Sequence, residues 1–311
     1  PEALNRFQRG LNGFEIDVGD DALEFAARVG ERAAQRERAT RMKREIERSG
    51  GQIPGVRARL YPYQVDGVSF LASTGRALMA DDMGLGKTLQ SIASAAWLRE
   101  REGVERTLII CPASLKHQWA REIKKFTDFD VEVIKGGIKS RIALYRRRAA
   151  FTIVNYEIVL RDHDQISKEL MPDLLVLDEA QRIKNWRTKT AAAVKTLSTR
   201  FAFVLSGTPL ENRLEDLYSV MQVVDPRVLG PLWRYMLEFH VTDERGTVLG
   251  YRNLSELRRR LAPVLIRRNR KLVEDQLPPR VETQLDVPMT AAQIDIHDAA
   301  MMTAKRIISI K

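Results

Sequence analysis

Six short apolar runs along the middle of the chain predict the strands of its core. They are the segments 77–80, 107–111, 131–134, 151–155, 174–178 and 201–205, which read ALMA, TLIIC, VEVI, FTIVN, LLVLD and FAFVL. They are rich in β-branched residues and lack regular polar alternation, which is typical of strands covered on both faces. Helix-like stretches lie between them, at 87–101, 114–126, 140–149 and 188–198. This alternation predicts an α/β fold, a mostly parallel sheet flanked by helices on both faces, with functional loops at the carboxyl ends of the strands.

The regions on either side of this core have different patterns. Residues 20–49 are dense in Arg, Glu and Ala with a thin apolar stripe, which predicts a mostly solvated helical extension. The glycines and proline of 50–55 then mark a turn or linker. After Asp225-Pro226 the pattern becomes helical and aromatic, and it predicts a helical insertion at about 226–266. The expected division is therefore an extension with its linker at 1–56, a core at 57–290 and a closing segment at 291–311.

Composition narrows the class of protein without deciding it. The chain has 311 residues, of which 44% are hydrophobic and 30% charged, as in ordinary globular proteins. The single cysteine, Cys111, rules out an internal disulfide framework and ends a buried run, so we expect a buried small hydrophobe. No apolar run approaches the roughly 20 residues that span a bilayer, and no signal peptide is visible at the N-terminus. Because the sequence begins without Met, we expect it to be part of a longer protein.

The charge balance favours a polyanionic partner. Fifty-one Lys and Arg residues against 41 Asp and Glu residues give a formal net charge of +10. Arginine dominates this excess, and its planar guanidinium matches phosphate groups in a bidentate way. We therefore expect nucleic acid as a partner rather than a membrane surface.

A glycine-rich loop follows the first predicted strand and opens a predicted helix. It reads ADDMGLGKT at 80–88. A loop of this kind presents backbone amides and the positive end of the helix dipole to phosphate groups. Lys87 would contact the β- and γ-phosphates, and Thr88 would place its hydroxyl on Mg²⁺. The strict pattern GxxxxGK[ST] is not met, because Asp81 stands at the first glycine position. The predicted nucleotide-binding residues of the loop are Asp81, Asp82, Met83, Gly84, Leu85, Gly86, Lys87 and Thr88.

An acidic pair ends the fifth predicted strand, ninety positions downstream. The segment 175–185 reads LVLDEAQRIKN. Asp178 would hold Mg²⁺ and Glu179 would polarise the attacking water. The alternative is a solvated acidic pair that caps the following turn. Together with the phosphate loop, the pair predicts an ATPase core that uses ATP and Mg²⁺, with Lys87, Asp178 and Glu179 as catalytic residues and Thr88 and Asp178 as metal ligands.

Several segments in order resemble the first RecA-like lobe of SWI/SNF-type ATPases, a branch of helicase superfamily two whose members translocate on duplex DNA. The resemblance covers about 57–290. It rests on the phosphate loop, the acidic segment and five further segments: LYPYQVDGVSFL (60–71), TLIICPASLKHQW (107–119), FTIVNYEIV (151–159), LSGTPLENRLEDLYSVMQVVDP (205–226) and PVLIRRNRKLVEDQLPPR (263–280). It implies a RecA-like P-loop fold, in which Gln64 reads the adenine edge. The 263–280 segment would lead to a second RecA-like lobe, with 291–311 as the start of that connector.

The resemblance also assigns roles after the acidic pair. Gln181 would be a fourth catalytic residue, in a network coupled to the γ-phosphate, and glutamine at this position resembles bacterial and archaeal members. Ser206, Gly207 and Thr208 would couple the nucleotide state to DNA-facing segments, whereas a plain β-turn is the alternative. The implied DNA contacts are Lys116, Asn155 and Tyr156, followed by Lys184 and Asn185. Trp119 lies at helical spacing from Leu115 and Ile123, which favours core packing over base stacking.

The expected function is therefore an ATP-dependent double-stranded DNA translocase or remodeller, represented here by its ATP-binding lobe. The family's arginine fingers lie in the second lobe, so we expect the isolated lobe to be weakly active or inactive. The basic stretch 258–271 either lines the cleft or stabilises the connector between lobes. The N-terminal extension is a candidate site for a protein partner. The expected location is cytoplasmic and associated with the nucleoid, or nuclear in a eukaryote. The alternatives are a strand-separating helicase of the same superfamily and a non-catalytic ATP- and DNA-binding adaptor.

Overall fold

A seven-stranded parallel sheet forms the centre of the molecule. A computed structural model describes residues 20–207, 214–245, 247–276 and 286–309. Its strands are β1 Arg76–Met79, β2 Thr107–Cys111, β3 Val131–Val133, β4 Phe151–Asn155, β5 Leu174–Leu177, β6 Phe201–Leu205 and β9 Leu265–Ile266. They lie in the order β3-β4-β2-β5-β6-β1-β9, and every described ladder in this sheet is parallel. The six predicted strands are all present, and β9 is an additional edge strand.

Helices connect the strands and cover the sheet. Those before the insertion are α1 Asp20–Arg48, α2 Pro62–Thr74, α3 Lys87–Glu102, α4 Lys116–Phe126, α5 Ile138–Arg146, α6 Tyr156–Gln165, α7 Lys189–Lys195 and α8 Leu214–Val224. The later ones are α9 Pro226–Leu229, α10 Leu232–Phe239, α11 Leu254–Leu261 and α12 Ala291–Ser309. The helix α6 was not predicted, because its first residues were interpreted as the continuation of a DNA-facing segment after β4.

Successive residues of each strand face opposite sides of the sheet, and each side has its own core. On one side Ile109 and Val176 pack with residues of α2, α3 and α4, such as Ile92. On the other side Leu108 and Leu175 pack with α6, α7 and α8. This arrangement confirms the predicted α/β fold with helices on both faces.

The insertion is not purely helical, which corrects the prediction for 226–266. A two-stranded antiparallel hairpin, β7 His240–Thr242 and β8 Val248–Tyr251, follows α10. Its strands contain the β-branched residues that favour extended backbone. In its turn the Asp243 carboxylate accepts hydrogen bonds from the backbone N–H groups of Arg245 and Thr247. The last residues of the predicted insertion enter the main sheet as β9, because Leu265 and Ile266 pair with Leu78 and Met79 of β1.

The N-terminal helix is part of the main unit. The chain divides into two compact units, Pro1–Gln276 and Leu277–Lys311, and α1 belongs to the first of them. Met42 and Ile46 of α1 are buried in a third apolar cluster with Val65 and Val68 of α2. The helix was expected to be mostly solvated, and most of its described residues are exposed, with Met42 and Ile46 as its two buried positions. Within the described residues, no helix has both the length and the apolar character to cross a membrane.

Candidate functional site

The glycine-rich loop lies between the end of β1 and the start of α3. Gly84 has φ 84° and Gly86 has φ 71°, a left-handed conformation that glycine adopts without steric cost. Gly86 is the N-cap of α3, and no described side chain caps this end of the helix. The first turn of α3 therefore has the geometry of an anion site.

Lys87 points back over the loop. Its Nζ donates hydrogen bonds to the carbonyl oxygens of Asp81, at 2.7 Å, and Asp82, at 3.1 Å. Burial lowers the pKa of this ammonium, while the nearby carboxylates of Asp81, Glu179 and Asp178 act in the opposite direction. The charge is thus held among acidic groups and loop carbonyls, and phosphate oxygens can replace those carbonyls as partners.

Asp178 directly follows β5 and is held by two aromatic side chains. The indole Nε1 of Trp119, from α4, donates to Asp178 Oδ2 at 2.7 Å. The hydroxyl of Tyr156, at the start of α6, donates to the Asp178 backbone oxygen at 2.7 Å. Burial raises the pKa of the Asp178 carboxyl, and the Trp119 hydrogen bond opposes that rise. Neither contact was predicted, although the expected core position of Trp119 is confirmed by its 2% exposure.

The residues after Asp178 form a strained and incompletely paired turn. Glu179 has φ 52°, an uncommon backbone conformation for a residue other than glycine. Gln181 Nε2 donates to Glu179 Oε2 at 2.6 Å. Gln181 Oε1 is buried and has no hydrogen-bond partner among the described residues. Strain and unpaired buried acceptors are both found at functional sites, and here they adjoin the predicted catalytic carboxylate.

The segment 205–226, which begins at the end of β6, reaches the same place. Strands β5, β6 and β1 are neighbours, so the loops after their carboxyl ends are adjacent. A Cβ atom built on Gly207 would lie 3.1 Å from Met83 Cγ and 3.3 Å from Lys87 Nζ. Ser206 beside it is buried, and Thr208 lies outside the described residues. The structure therefore brings the phosphate loop, the acidic pair and the start of the 205–226 segment together.

The Asp81 side chain is bonded within the protein, and its predicted nucleotide contact stays a prediction. Its side chain is 0% exposed, and its carboxylate receives hydrogen bonds from the backbone N–H of Arg268 at 2.9 Å and from Arg268 Nε at 3.1 and 3.2 Å. The Asp81 carboxylate is thus bonded to Arg268 of the same chain, and it is the backbone oxygen of Asp81 that accepts the hydrogen bond from Lys87. The Asp82 carboxylate likewise accepts from the backbone N–H of Arg270, at 3.0 Å. The sequence signal for these partners was the basic stretch 258–271, for which two interpretations had been left open.

Gln64 lies against the loop from α2. Its Oε1 accepts a hydrogen bond from the Tyr61 backbone N–H at 3.1 Å. A Cβ atom on Gly86 would be 2.7 Å from Gln64 Nε2, so the amide nitrogen directly adjoins the helix N-cap. The location is compatible with the predicted adenine contact, which stays a prediction.

The predicted DNA contacts differ in accessibility. Lys116 is half-buried, and its Nζ donates to the Ile134 oxygen at 2.9 Å. Asn155 is half-buried and donates to Glu157, whereas Lys184 and Asn185 are exposed. Tyr156 requires a correction, because its side chain is 2% exposed and its hydroxyl is directed at Asp178. Because the Tyr156 ring is buried and its hydroxyl bonds the Asp178 backbone, this side chain is not placed to contact a DNA backbone.

Comparison with known proteins identifies the family. The SNF2-related domain matches residues 63–311. The chain belongs to this family. In a solved structure, the Sulfolobus solfataricus SWI2/SNF2 ATPase core in complex with dsDNA, the similarity extends over 84% of this chain and 55% of that chain, with a TM-score of 0.64 and 31% identity. This likeness agrees with the predicted RecA-like fold.

Two curated relatives show the range of proteins that contain this domain. The DNA repair and recombination protein RAD54B of Gallus gallus is 31% identical over 284 residues, which are 82% of this chain and 30% of that protein. The ISWI chromatin-remodeling complex ATPase ISW1 of Saccharomyces cerevisiae is 30% identical over 251 residues, covering 76% and 22%. The chain thus spans less than a third of the length of these relatives.

The donor set at the SNF2 site suits Mg²⁺. Thr88 and Asp178 offer the hard oxygen ligands that Mg²⁺ prefers, and Gln181 Oε1 is an unpaired acceptor nearby in sequence. Among the described residues, no group of three His, Cys, Asp or Glu side chains is placed to hold a metal ion. Mg²⁺ in nucleotide sites needs only one or two carboxylates, because phosphates and water complete its shell.

Proposed function

We propose that this chain is the ATP-binding lobe of an ATP-dependent double-stranded DNA translocase or remodeller. One observation carries the proposal, which is the meeting of Lys87, the Asp178-Glu179 pair and Gly207 at adjacent strand ends. These are the groups that phosphoryl transfer requires, placed by a fold that matches the SNF2 family.

Each residue has a role in ATP hydrolysis under this proposal. The backbone of the glycine loop cradles the phosphates, and Lys87 exchanges its carbonyl partners for β- and γ-phosphate oxygens. Thr88 and Asp178 hold Mg²⁺, which when bound offsets the charge of the phosphates. Glu179 orients the attacking water, and Gln181, already bonded to Glu179, senses that arrangement. Gln64 recognises the adenine edge.

Duplex DNA is the proposed polymer partner, and it is bound without base specificity. The support is the net charge of +10 and the likeness to a core solved with dsDNA. The proposed contacts in this lobe remain Lys116, Asn155, Lys184 and Asn185. Neutralisation of DNA phosphates is proposed to contribute most of the binding free energy. A second RecA-like lobe of the same full-length protein is proposed to close on the nucleotide and to supply arginine fingers. The proposed role of the N-terminal extension in binding a protein partner is unchanged.

The first test is Mg-ATP binding by this chain, followed by ATP turnover in the full-length protein with and without duplex DNA. Lys87→Ala should abolish binding and turnover, because the loop loses its only side-chain cation, whereas Lys124→Ala on the exposed face of α4 should preserve both. Duplex DNA should stimulate turnover in the full-length protein. No ATP turnover on duplex DNA despite Mg-ATP binding would favour the adaptor, and ATP-driven release of a strand from a tailed duplex would favour the helicase.

A further inference from the structure

Residues 266–270, at the end of β9 and just after it, are hydrogen-bonded to the first residues of the phosphate loop. After β9 pairs with β1, the pairing continues past both strands. The Ala80 N–H donates to the Ile266 oxygen at 2.8 Å, and the Asp82 N–H donates to the Arg268 oxygen at 3.0 Å. In the other direction, the Arg270 N–H donates to the Asp82 carboxylate at 3.0 Å. The first residues of the loop therefore have hydrogen-bond partners in 266–270.

The Arg268 side chain is the centre of this attachment. It forms a buried ion pair with Asp81, and their side chains are 12% and 0% exposed. Its guanidinium also donates to Gln90 Oε1 at 2.7 Å and to the backbone oxygen of Tyr63, and it lies over the Tyr63 ring. A single side chain thus joins the loop, α3 and α2.

Gln90 links Arg268 to a second point of the loop. It is fully buried in α3, and its Nε2 donates to the Leu85 oxygen at 2.8 Å. Arg268 therefore holds the loop at two points, at Asp81 directly and at Leu85 through Gln90. Between these points lie Asp82, Met83 and Gly84, and Lys87 Nζ bonds to the carbonyls of Asp81 and Asp82.

We propose that Arg268 is a positioning residue for the phosphate loop, and that it couples nucleotide occupancy to the docking of residues 264–272. Asp81 stands where a strict phosphate loop has glycine, and Arg268 supplies the buried cation that this carboxylate requires. The loop path, and with it Lys87, depends on a segment far away in sequence. Since coupling between two equilibria is reciprocal, nucleotide on the loop stabilises the docked segment to the same degree. This inference rests on the proposed nucleotide site.

The test compares Arg268→Gln with Arg141→Gln. Arg141 of α5 makes a similar buried pair with Asp162 of α6, with side chains 11% and 0% exposed, but this pair joins two helices and does not bond the loop. Both variants should lower the melting temperature, because each leaves a buried carboxylate unpaired. Only Arg268→Gln should weaken ADP and ATPγS binding, by about tenfold for the loss of charged hydrogen bonds that position the loop.

Two further variants keep the test decisive if Arg268→Gln does not fold. Arg268→Lys keeps the charge but cannot bond Asp81, Gln90 and Tyr63 together, so it should bind ADP with intermediate affinity. The double variant Asp81→Asn/Arg268→Gln removes both charges and should lose no more affinity than the worse single variant, as expected for two directly coupled residues.

Hydrogen exchange gives a readout without mutation. Saturating ADP should slow exchange at the amides of Asp82, Arg268 and Arg270, and it should leave α5 unchanged. Normal ADP affinity in a folded Arg268 variant, or unchanged exchange in 264–272 when ADP is bound, would overturn the inference. Failure of the unmodified protein to bind ADP or ATPγS would instead overturn the nucleotide site itself.

Discussion

At the scale of single residues, the hydrogen bond from Trp119 Nε1 holds the Asp178 carboxylate, which is the proposed Mg²⁺ ligand. We predict that Trp119→Phe, which removes the N–H but keeps an aromatic ring, lowers Mg²⁺ affinity by roughly 10- to 100-fold, as is usual when a partner of a metal ligand is lost. The measurement is the Mg²⁺ concentration needed for half-maximal ATPγS binding. The matched control is Trp97→Phe, a half-buried tryptophan on α3 with an Arg101 guanidinium over its ring.

The control separates orientation from packing. Both replacements remove ring volume and should destabilise the fold modestly, but only Trp119 bonds the carboxylate. Equal Mg²⁺ requirements in the two variants would show that the bond does not orient Asp178. Tyr156→Phe is a smaller change beside Asp178, since it removes the hydroxyl that donates to the Asp178 backbone oxygen and leaves the carboxylate bond from Trp119 in place.

The sequence located the candidate residues that the structure brings together, but not the residues that hold them. Lys87, Glu179 and Gln181 lie in short local motifs, and their catalytic roles stay predictions. The roles of Trp119 and Arg268 depend on a partner 59 and 187 positions away. No periodicity or motif shows such a pairing, and the misassignment of Tyr156 to DNA has the same origin.

At the scale of elements, α2 and α3 approach each other closely at Gly67. A Cβ atom there would overlap Gln90 Oε1 and lie 2.7 Å from the Arg268 guanidinium. We predict that Gly67→Ala destabilises the fold by about 1–3 kcal/mol, because forced overpacking outweighs the better helix propensity of alanine. Urea denaturation would measure the loss.

Gly30 offers a matched comparison in α1. Nothing lies within 4 Å of a Cβ at that position, so Gly30→Ala should be neutral or stabilising by up to about 1 kcal/mol. If Gly67→Ala were as stable as Gly30→Ala, the close approach of the two helices would not constrain the site.

Within the core, the sequence predicted the order and the type of the elements, whereas outside the core it predicted helix where the structure has a hairpin. The buried strands could be located because each lies in a continuous apolar run flanked by helical patterns. The hairpin β7–β8 was interpreted as helix, since its strands are short and their neighbours α10 and α11 are amphipathic. The two-residue strand β9 has too few positions for any periodicity, and its identity comes from pairing with β1.

At the scale of the whole molecule, α1 is attached to the main unit through few contacts. A helix rich in Arg and Glu was expected to be mostly solvated before the core. Its last turns pack on α2, with an ion pair between Lys43 and Asp66 at 2.6 Å, and farther back Gln35 Nε2 donates a hydrogen bond to the Pro263 oxygen at 2.9 Å. The helix therefore contacts both α2 and Pro263, two residues before β9, and its buried apolar positions are Met42 and Ile46.

The contribution of α1 to the stability of the unit can be measured with one pair of variants. Ile46 is 1% exposed in the cluster with α2, whereas Val29, on the same helix, is 49% exposed. We predict that Ile46→Ala lowers the free energy of unfolding by about 2–5 kcal/mol, the usual cost of a cavity at a buried isoleucine, and that Val29→Ala has little effect. Circular dichroism during urea denaturation should show one transition, displaced as a whole by Ile46→Ala, because α1 and the sheet share a core. A second transition that alone responds to Ile46→Ala would mean that α1 unfolds as a separate module, and the predicted boundary near residue 56 would then be correct.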